Sequence, residues 1–282
     1  MEVIGVDIGG TNIKAGLVYN GKLVKSKIAP TGKKKKDILA NLKKIISELI
    51  SSKTLAIGIG CPGPANYNHG IIGNAPNLPL KGVNLKRTIQ RKFNLPVVIN
   101  NDAQCFVLGE SIRLNKPNLV GLTLGTGVGG GIVFGGKIYS GSGNAGELGY
   151  TTLKFDGPKD KTGSGTMEGY FSAKGIIRRY KKEPTQLSMP QWKDYGRRLG
   201  IGISNLVWTF DPGTIVLGGG ITKAYPKFKP SLLREIKKIT RKTKLFKVKV
   251  VVGRTDSGIM GSAHLAYESV KSLGKLEVVD IN

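Results

Sequence analysis

Apolar positions recur along this chain in two alternating periods. Three short runs open it: residues 2–9, 13–19 and 22–28 read as strands, the last two joined by Asn20-Gly21. An Asn-Gly pair between apolar runs is a strong signal for a two-residue hairpin. The period then lengthens. Ile38, Leu39, Leu42, Ile45, Ile46 and Leu49 form a 3.6-residue stripe that predicts a helix over 37–49. Further strands are predicted over 55–59, 97–100, 119–124, 132–134 and 248–252, with another inside 211–220 that ends in glycines. Helices are predicted over 84–93, 103–113, 167–180, 190–210, 226–238 and 259–270. Trp192 and Trp208 on the helix over 190–210 read as core. The whole is a mixed α/β chain, long enough for two modest cores.

Composition narrows the setting. No apolar run reaches the length of a membrane span, and the chain opens on a strand without a signal-peptide pattern. With only Cys61 and Cys105, neither a disulfide framework nor a four-cysteine zinc site can form. A cytoplasmic protein that does not engage membranes is expected. The charge is unusual: 44 Lys and Arg against 18 Asp and Glu give +26. Such a field attracts polyanions without saying which. The lysines are spread along the chain, with one short run at Lys33–Lys36, and no aromatic-interleaved basic motif accompanies them. They read as a solvated surface, and a nucleic-acid partner is not expected.

The candidate chemistry lies where strands end in glycine. Strand 119–124 runs into Gly125-Thr126-Gly127, and twelve glycines fall between Gly121 and Gly149. Glycines permit positive φ and let backbone N–H groups approach an anion closely. Alone, this stretch reads equally as a hairpin without a ligand. Strand 2–9 ends in Asp7-Ile-Gly9-Gly10-Thr11, where a carboxylate beside bare N–H groups and a hydroxyl suits hydrated Mg²⁺ next to phosphate. Strand 97–100 delivers Asn101-Asp102 to its carboxyl edge, where open α/β sheets bind ligands; the plainer reading has Asp102 capping the next helix. Glu147 and Glu168 are isolated acids able to hold sugar hydroxyls, and the loop 66–80 offers Asn74 and Asn77. Gly218-Gly219-Gly220 closes a strand where a planar base could lie against bare backbone.

Familiar nucleotide motifs fail on context. Gly125-x-Gly127-x-x-Gly130 matches the dinucleotide fingerprint, but strand rather than helix follows it. Gly131 to Lys137 gives a P-loop spacing with Ile138 where Ser or Thr must stand. The protein-kinase loop has no His-Arg-Asp or Asp-Phe-Gly to accompany it.

What remains is a set in chain order: Asp7-Ile-Gly-Gly-Thr11, Asn101-Asp102-Ala-Gln-Cys-Phe-Val-Leu-Gly-Glu110, Gly125-Thr-Gly-Val-Gly-Gly-Gly131, Glu147, Glu168 and Asp211-Pro-Gly-Thr-Ile-Val-Leu-Gly-Gly-Gly220. Together they resemble the ROK family of sugar kinases and repressors, within the actin/hexokinase/Hsp70 superfold. The resemblance implies two α/β domains around a cleft: residues 1–115 plus a return over about 268–282, and residues 116–267. It implies ATP as co-substrate on Gly9, Gly10, Thr11, Lys14, Gly125, Thr126 and Gly127, with Mg²⁺ near Asp7 through water. Gly218, Gly219 and Gly220 would pass beneath adenosine. Asp102 would be the base toward a hexose, taken as glucose, held by Asn101, Glu147, Glu168 and more weakly Asn77 or Asn74. N-acetylhexosamines, mannose and fructose are further sugars, and a homodimer is implied. Tyr150 stands where many members carry a histidine, and the loop 155–166 has no cysteine, so zinc is not expected. Members that use polyphosphate also lack those cysteines, and +26 suits such a donor. A non-catalytic sugar-sensing or nucleic-acid-binding relative is the alternative of another class. Repressor members place a helix-turn-helix before the first strand; this chain begins at that strand.

Overall fold

The computed structural model describes residues 1–279 apart from 64, 74, 76, 77 and 242–246, with side chains described up to residue 272 except at 160. The candidates Asn74 and Asn77 lie outside the described residues. The chain divides into two compact units, one of Met1–Arg113, Ser140–Asn144 and the residues from Asp256 on, the other of Leu114–Tyr139 and Ala145–Thr255.

The first unit is a sheet of five strands: β1 (Glu2–Ile8), β2 (Asn12–Tyr19), β3 (Lys22–Pro30), β4 (Thr54–Cys61) and β5 (Val97–Asn101). Their order is β3-β2-β1-β4-β5, antiparallel through the hairpins and parallel from β1 onward. The hairpin turn takes the conformation its residues favour, with Asn20 at φ 46° and Gly21 at φ 76°. Helices α1 (Lys35–Ser47) and α2 (Leu85–Phe93) bury Ile38, Leu42, Ile45, Leu85 and Ile89 in the same core as Ile4, Ile57 and Ile99. Helix α3 (Asp102–Leu114) follows β5 without a break.

In the second unit, β6 (Leu119–Leu124), β7 (Val128–Phe134) and β8 (Lys137–Ile138) are followed by helices α4 (Met167–Phe171), α5 (Ala173–Tyr180) and α6 (Met189–Phe210), then β9 (Thr214–Gly218), α7 (Tyr225–Thr240) and β10 (Lys249–Val252). The sheet order is β8-β7-β6-β9-β10. This is the plan of the first unit over again: a hairpin pair, then two strands parallel to the first. The glycine turns Gly9–Thr11 and Gly125–Gly127 occupy the same place in each, between the first strand and its hairpin partner. Trp192 stacks on Phe228 with ring centroids 5.7 Å apart, and Tyr195 meets Phe228 at 5.3 Å, fastening α6 to α7. Trp208 departs from its expected place: it is 42% exposed, because it lies on the far side of α6 from that cluster.

Helix α8 (Ser257–Val279) belongs to the first unit and crosses its sheet at backbone contact. A Cβ on Gly5 would overlap the Ile259 carbonyl, one on Gly58 the Ser262 carbonyl, and one on Gly261 the Cys105 carbonyl of α3. Glu110, fully buried, accepts from Ser257 Oγ and pairs with Arg113 at 2.5 Å, which neutralises the carboxylate and ties α3 to the start of α8.

Candidate active site

In the first unit the parallel strands bring two carboxylates to one edge. Asp7 stands opposite Gly60 in the β1–β4 ladder, and Gly60 stands opposite Asn100 in the β4–β5 ladder. Asp7 and the residue after β5 are therefore separated by one intervening strand, about 10 Å at two interstrand spacings. Asn101, rather than Asp102, stands at the N-cap of α3. Asn101 Oδ1 accepts from the Gln104 N–H at 3.1 Å, and its Nδ2 donates to the Tyr67 hydroxyl at 3.3 Å. Asp102 is the first residue of α3, half-buried. Gly60 lies beneath it; a Cβ there would stand 3.3 Å from Asp102 Cα.

Cys61 and Cys105 sit behind this edge, buried. Burial, with Asp102 and Asp7 nearby, pushes the Cys105 thiol up to about 12 and the Cys61 thiol up further still. Neither can serve as a thiolate near neutral pH. The carboxylates are left as the proton acceptors of this edge.

Asp7 is held above the ordinary carboxylate range by burial, with Lys14 across the β1–β2 ladder offsetting part of the shift. Gly258 at the start of α8 is packed against it: a Cβ there would come 2.9 Å from Asp7 Oδ2. The unfolded chain ionises Asp7 at lower pH than the folded one, so its contribution to stability is lost as pH rises through the folded value. Asp7→Asn is expected to melt higher than the parent at about pH 8 and to lose that advantage toward about pH 4. Thermal melts across that range check this, and equal melting at high pH contradicts it.

The turn after Asp7 is closed by the Gly9 N–H donating to Asn12 O at 3.0 Å, and Thr31 Oγ1 donates to Gly9 O at 2.6 Å. Gly10 and Thr11 face outward, exposed. Neither Gly9 nor Gly10 has positive φ, and the same is true of Gly125 and Gly127. The expectation of left-handed backbone at these turns is corrected; what the glycines provide is the absence of a Cβ.

In the second unit the reason is visible. The Gly125 N–H donates to Gly127 O at 3.0 Å, and the Val128 N–H donates to Glu168 Oε2 at 2.9 Å. A Cβ on Gly127 would stand 2.5 Å from that same oxygen. Glu168 can reach the turn because the helical stretch over 167–180 is two helices. Ser172 ends α4 and caps α5, its Oγ accepting from the Gly175 N–H at 3.0 Å, and the Ala173 N–H then donates to Gly125 O at 2.8 Å. Glu147, half-buried ahead of the short turn Leu148–Tyr150, is raised by burial and then by the Glu168 charge, so the two carboxylates are neighbours. Thr126 is exposed at the apex.

The third glycine segment lies beside the second. Gly218 is in register with Thr123 of β6, and Gly219 has φ 85° with Leu124 O directly behind it, where no Cβ could fit. Gly219 and Gly220 are exposed, and the space beyond Gly125 and Gly220 is open. One edge of the β6–β9 pair therefore presents two stretches of bare backbone side by side.

Residues 3–269 match the ROK family model. The chain belongs to the ROK family. A glucokinase of Halalkalibacterium halodurans is 30% identical over 96% of this chain and 97% of its own length. A putative xylose repressor of a Caldicellulosiruptor species is 29% identical over 89% of this chain and 74% of its own. Among solved structures, the ROK hexokinase of Thermus thermophilus superposes with a TM-score of 0.82 at 28% identity, covering 96% of this chain and 100% of that one. The fold is the actin-like ATPase fold of ROK sugar kinases.

Within this ROK chain two contacts escaped the sequence reading. Glu168 reads there as a sugar ligand, whereas its Oε2 holds the second glycine turn. The capping role falls to Asn101, and an Asn directly ahead of the predicted helix is the signal that could have found it. Among the described residues no group of three or more His, Cys, Asp or Glu is placed to hold a metal ion, and no helix is long and apolar enough to cross a membrane.

Proposed function

We propose that this ROK protein is an ATP-dependent hexose kinase acting on glucose at its 6-hydroxyl. The observation that carries the reading is Asp102, set at the carboxyl edge of a parallel sheet one strand from Asp7. Its carboxylate takes the proton of the sugar hydroxyl as the new O–P bond forms and the bond from the γ-phosphorus to the ADP oxygen breaks. Asn101 Nδ2, Glu147 and the Oε1 of Glu168 hold sugar hydroxyls. The turns Gly9–Thr11 and Gly125–Gly127 hold the donor phosphates through the N–H groups of Gly10, Thr11, Thr126 and Gly127, Lys14 adds charge, and Gly218–Gly220 lies under adenosine. Mg²⁺ when bound neutralises donor-phosphate charge, and the half-buried Asp7 beside exposed Gly10 and Thr11 fits it, through water. The similarity to the Halalkalibacterium glucokinase supports the choice of sugar.

Formation of sugar phosphate measured over a panel of hexoses, with ATP and polyphosphate as alternative donors at two salt concentrations, tests this. Turnover highest with glucose and ATP is expected; no turnover with any sugar and either donor overturns it. The similarity to the putative xylose repressor favours a second reading, a sugar sensor. Salt-dependent DNA binding without ADP release is its signature.

Because Glu168 holds the turn, Glu168→Ala is expected to raise the KM for ATP about tenfold as well as that for sugar, the loss of one charge-assisted hydrogen bond. Steady-state kinetics in which only the sugar KM moves would return Glu168 to a purely sugar-binding role.

A further inference from the structure

The second unit contains a cavity of about 420 Å³ whose lining is strongly cationic. Its walls come from the loop before α4, from α4 and α5, and from the middle of α6. Lys154, Arg178, Arg179 and Arg198 all face it, against Asp156 as the one acid in the lining. Lys154 and Asp156 pair at 3.2 Å, but both are largely exposed, with side chains 62% and 77% accessible, so their attraction is weak and easily exchanged.

The arginines are held differently. Asp194 on α6 accepts from Arg179 Nε at 3.1 Å, from Arg198 Nε at 3.0 Å, from Arg197 Nη2 at 3.3 Å and from the Tyr180 hydroxyl at 2.8 Å. Despite partial burial, these donors pull Asp194 down to about 2, so it stays ionised at any working pH. Arg179 and Arg198 both reach Asp194 through Nε. That leaves the Nη nitrogens of each guanidinium to meet another acceptor, on heads already fixed in place. Preorganised guanidinium groups match the geometry of a tetrahedral oxyanion, which several N–H donors can contact at once. One carboxylate is thus shared among three arginines, and the local balance stays positive. The volume falls within the range of about 300–1,000 Å³ found for small-ligand sites.

From this we infer that the cavity is a binding site for a small phosphomonoester, separate from the glycine turns assigned to the donor. The phosphoryl oxygens are received by Arg178, Arg179 and Arg198, with Lys154 at the mouth. The site sits close to the turn machinery: Gly169 and Tyr170, which line it, directly follow Glu168. A ligand bound there leans on the same short helix that holds the Val128 N–H. This inference stands apart from the proposed kinase activity, since it needs neither Asp102 nor a sugar.

Isothermal titration of the full chain with phenyl phosphate, and separately with inorganic phosphate, tests it. Binding of phenyl phosphate is expected; if inorganic phosphate binds as tightly, the ligand is the free anion rather than its ester, and the ester claim falls. Arg178→Gln/Arg198→Gln should weaken binding at least tenfold, whereas Thr126→Asp, which puts a negative charge at the exposed apex of the donor turn without pressing on Glu168, should leave it unchanged. Lys154→Gln removes an exposed cation without touching the Asp194 cluster, and should weaken binding two- to threefold even if the arginine variant fails to fold. The opposite pattern, binding lost in Thr126→Asp and kept in Lys154→Gln, places the anion on the glycine turn and overturns the site. So does the absence of any binding by the parent chain.

Discussion

Asp102→Asn is expected to reduce hexose phosphorylation by at least about 100-fold while sugar KM stays within roughly threefold. An amide keeps the size and hydrogen-bonding reach of the carboxylate but cannot take up the hydroxyl proton. The separation of roles at the start of α3 makes the experiment clean. Asn101 supplies the cap through the Gln104 N–H, and an amide at 102 keeps the carboxylate's shape in the first turn. The melting temperature of the variant should therefore lie within about 2 °C of the parent. Near-parental turnover would remove Asp102 from the chemistry. A large drop in melting temperature would show instead that the side chain is structural, and that lost activity reports misfolding.

Gly58→Ala should destabilise the protein by about 3 kcal/mol or more, at the upper end of what overpacking costs. The added methyl would be driven into the Ser262 carbonyl, a backbone group on α8 with no rotamer by which to retreat. Gly261→Ala meets the Cys105 carbonyl in the same way, and a comparable loss is expected. Gly213→Ala is the control: a methyl there would meet no atom within 4 Å, φ is not positive, and a change under about 0.5 kcal/mol is expected. Urea titrations of the three variants decide the point. The effect should reach the active edge as well, because α8 places Gly258 against the Asp7 carboxylate. A Gly58→Ala protein as stable as the parent would show that α8 can ride higher on the sheet than its contacts suggest.

Much of the fold was legible because strands and turns here obey local rules. The run 119–124 is a strand over those same residues, Asn20-Gly21 turns as an Asn-Gly pair should, and Asn84 caps α2 by accepting from the Arg87 N–H at 2.8 Å. Two elements differ from their sequence pattern for identifiable reasons. Residues 128–130 lie ahead of the strand predicted there, being a valine and two glycines, yet they are strand. Gly130 has the Gly146 carbonyl and the Leu148 side chain pressed against it, so a residue with a side chain could not pair there. The stripe over 167–180 is unbroken in hydrophobic period, but the cap at Ser172 divides it, and period carries no information about a hydroxyl's partner.

By itself the sequence determined which backbone stretches lack side chains, which carboxylates follow buried strands, and that these occur in the order shared by ROK proteins. These are properties of neighbours along the chain. Only the tertiary structure decided what each group does. Asn101 took the cap in place of Asp102, Glu168 became the prop of the second glycine turn from forty residues away, and Asp194 gathered three arginines, two of which line a cavity. Hydrogen bonds and charge pairs act over a few ångströms of space. Residues far apart in sequence reach that range only after the sheets have formed and the helices have packed on them.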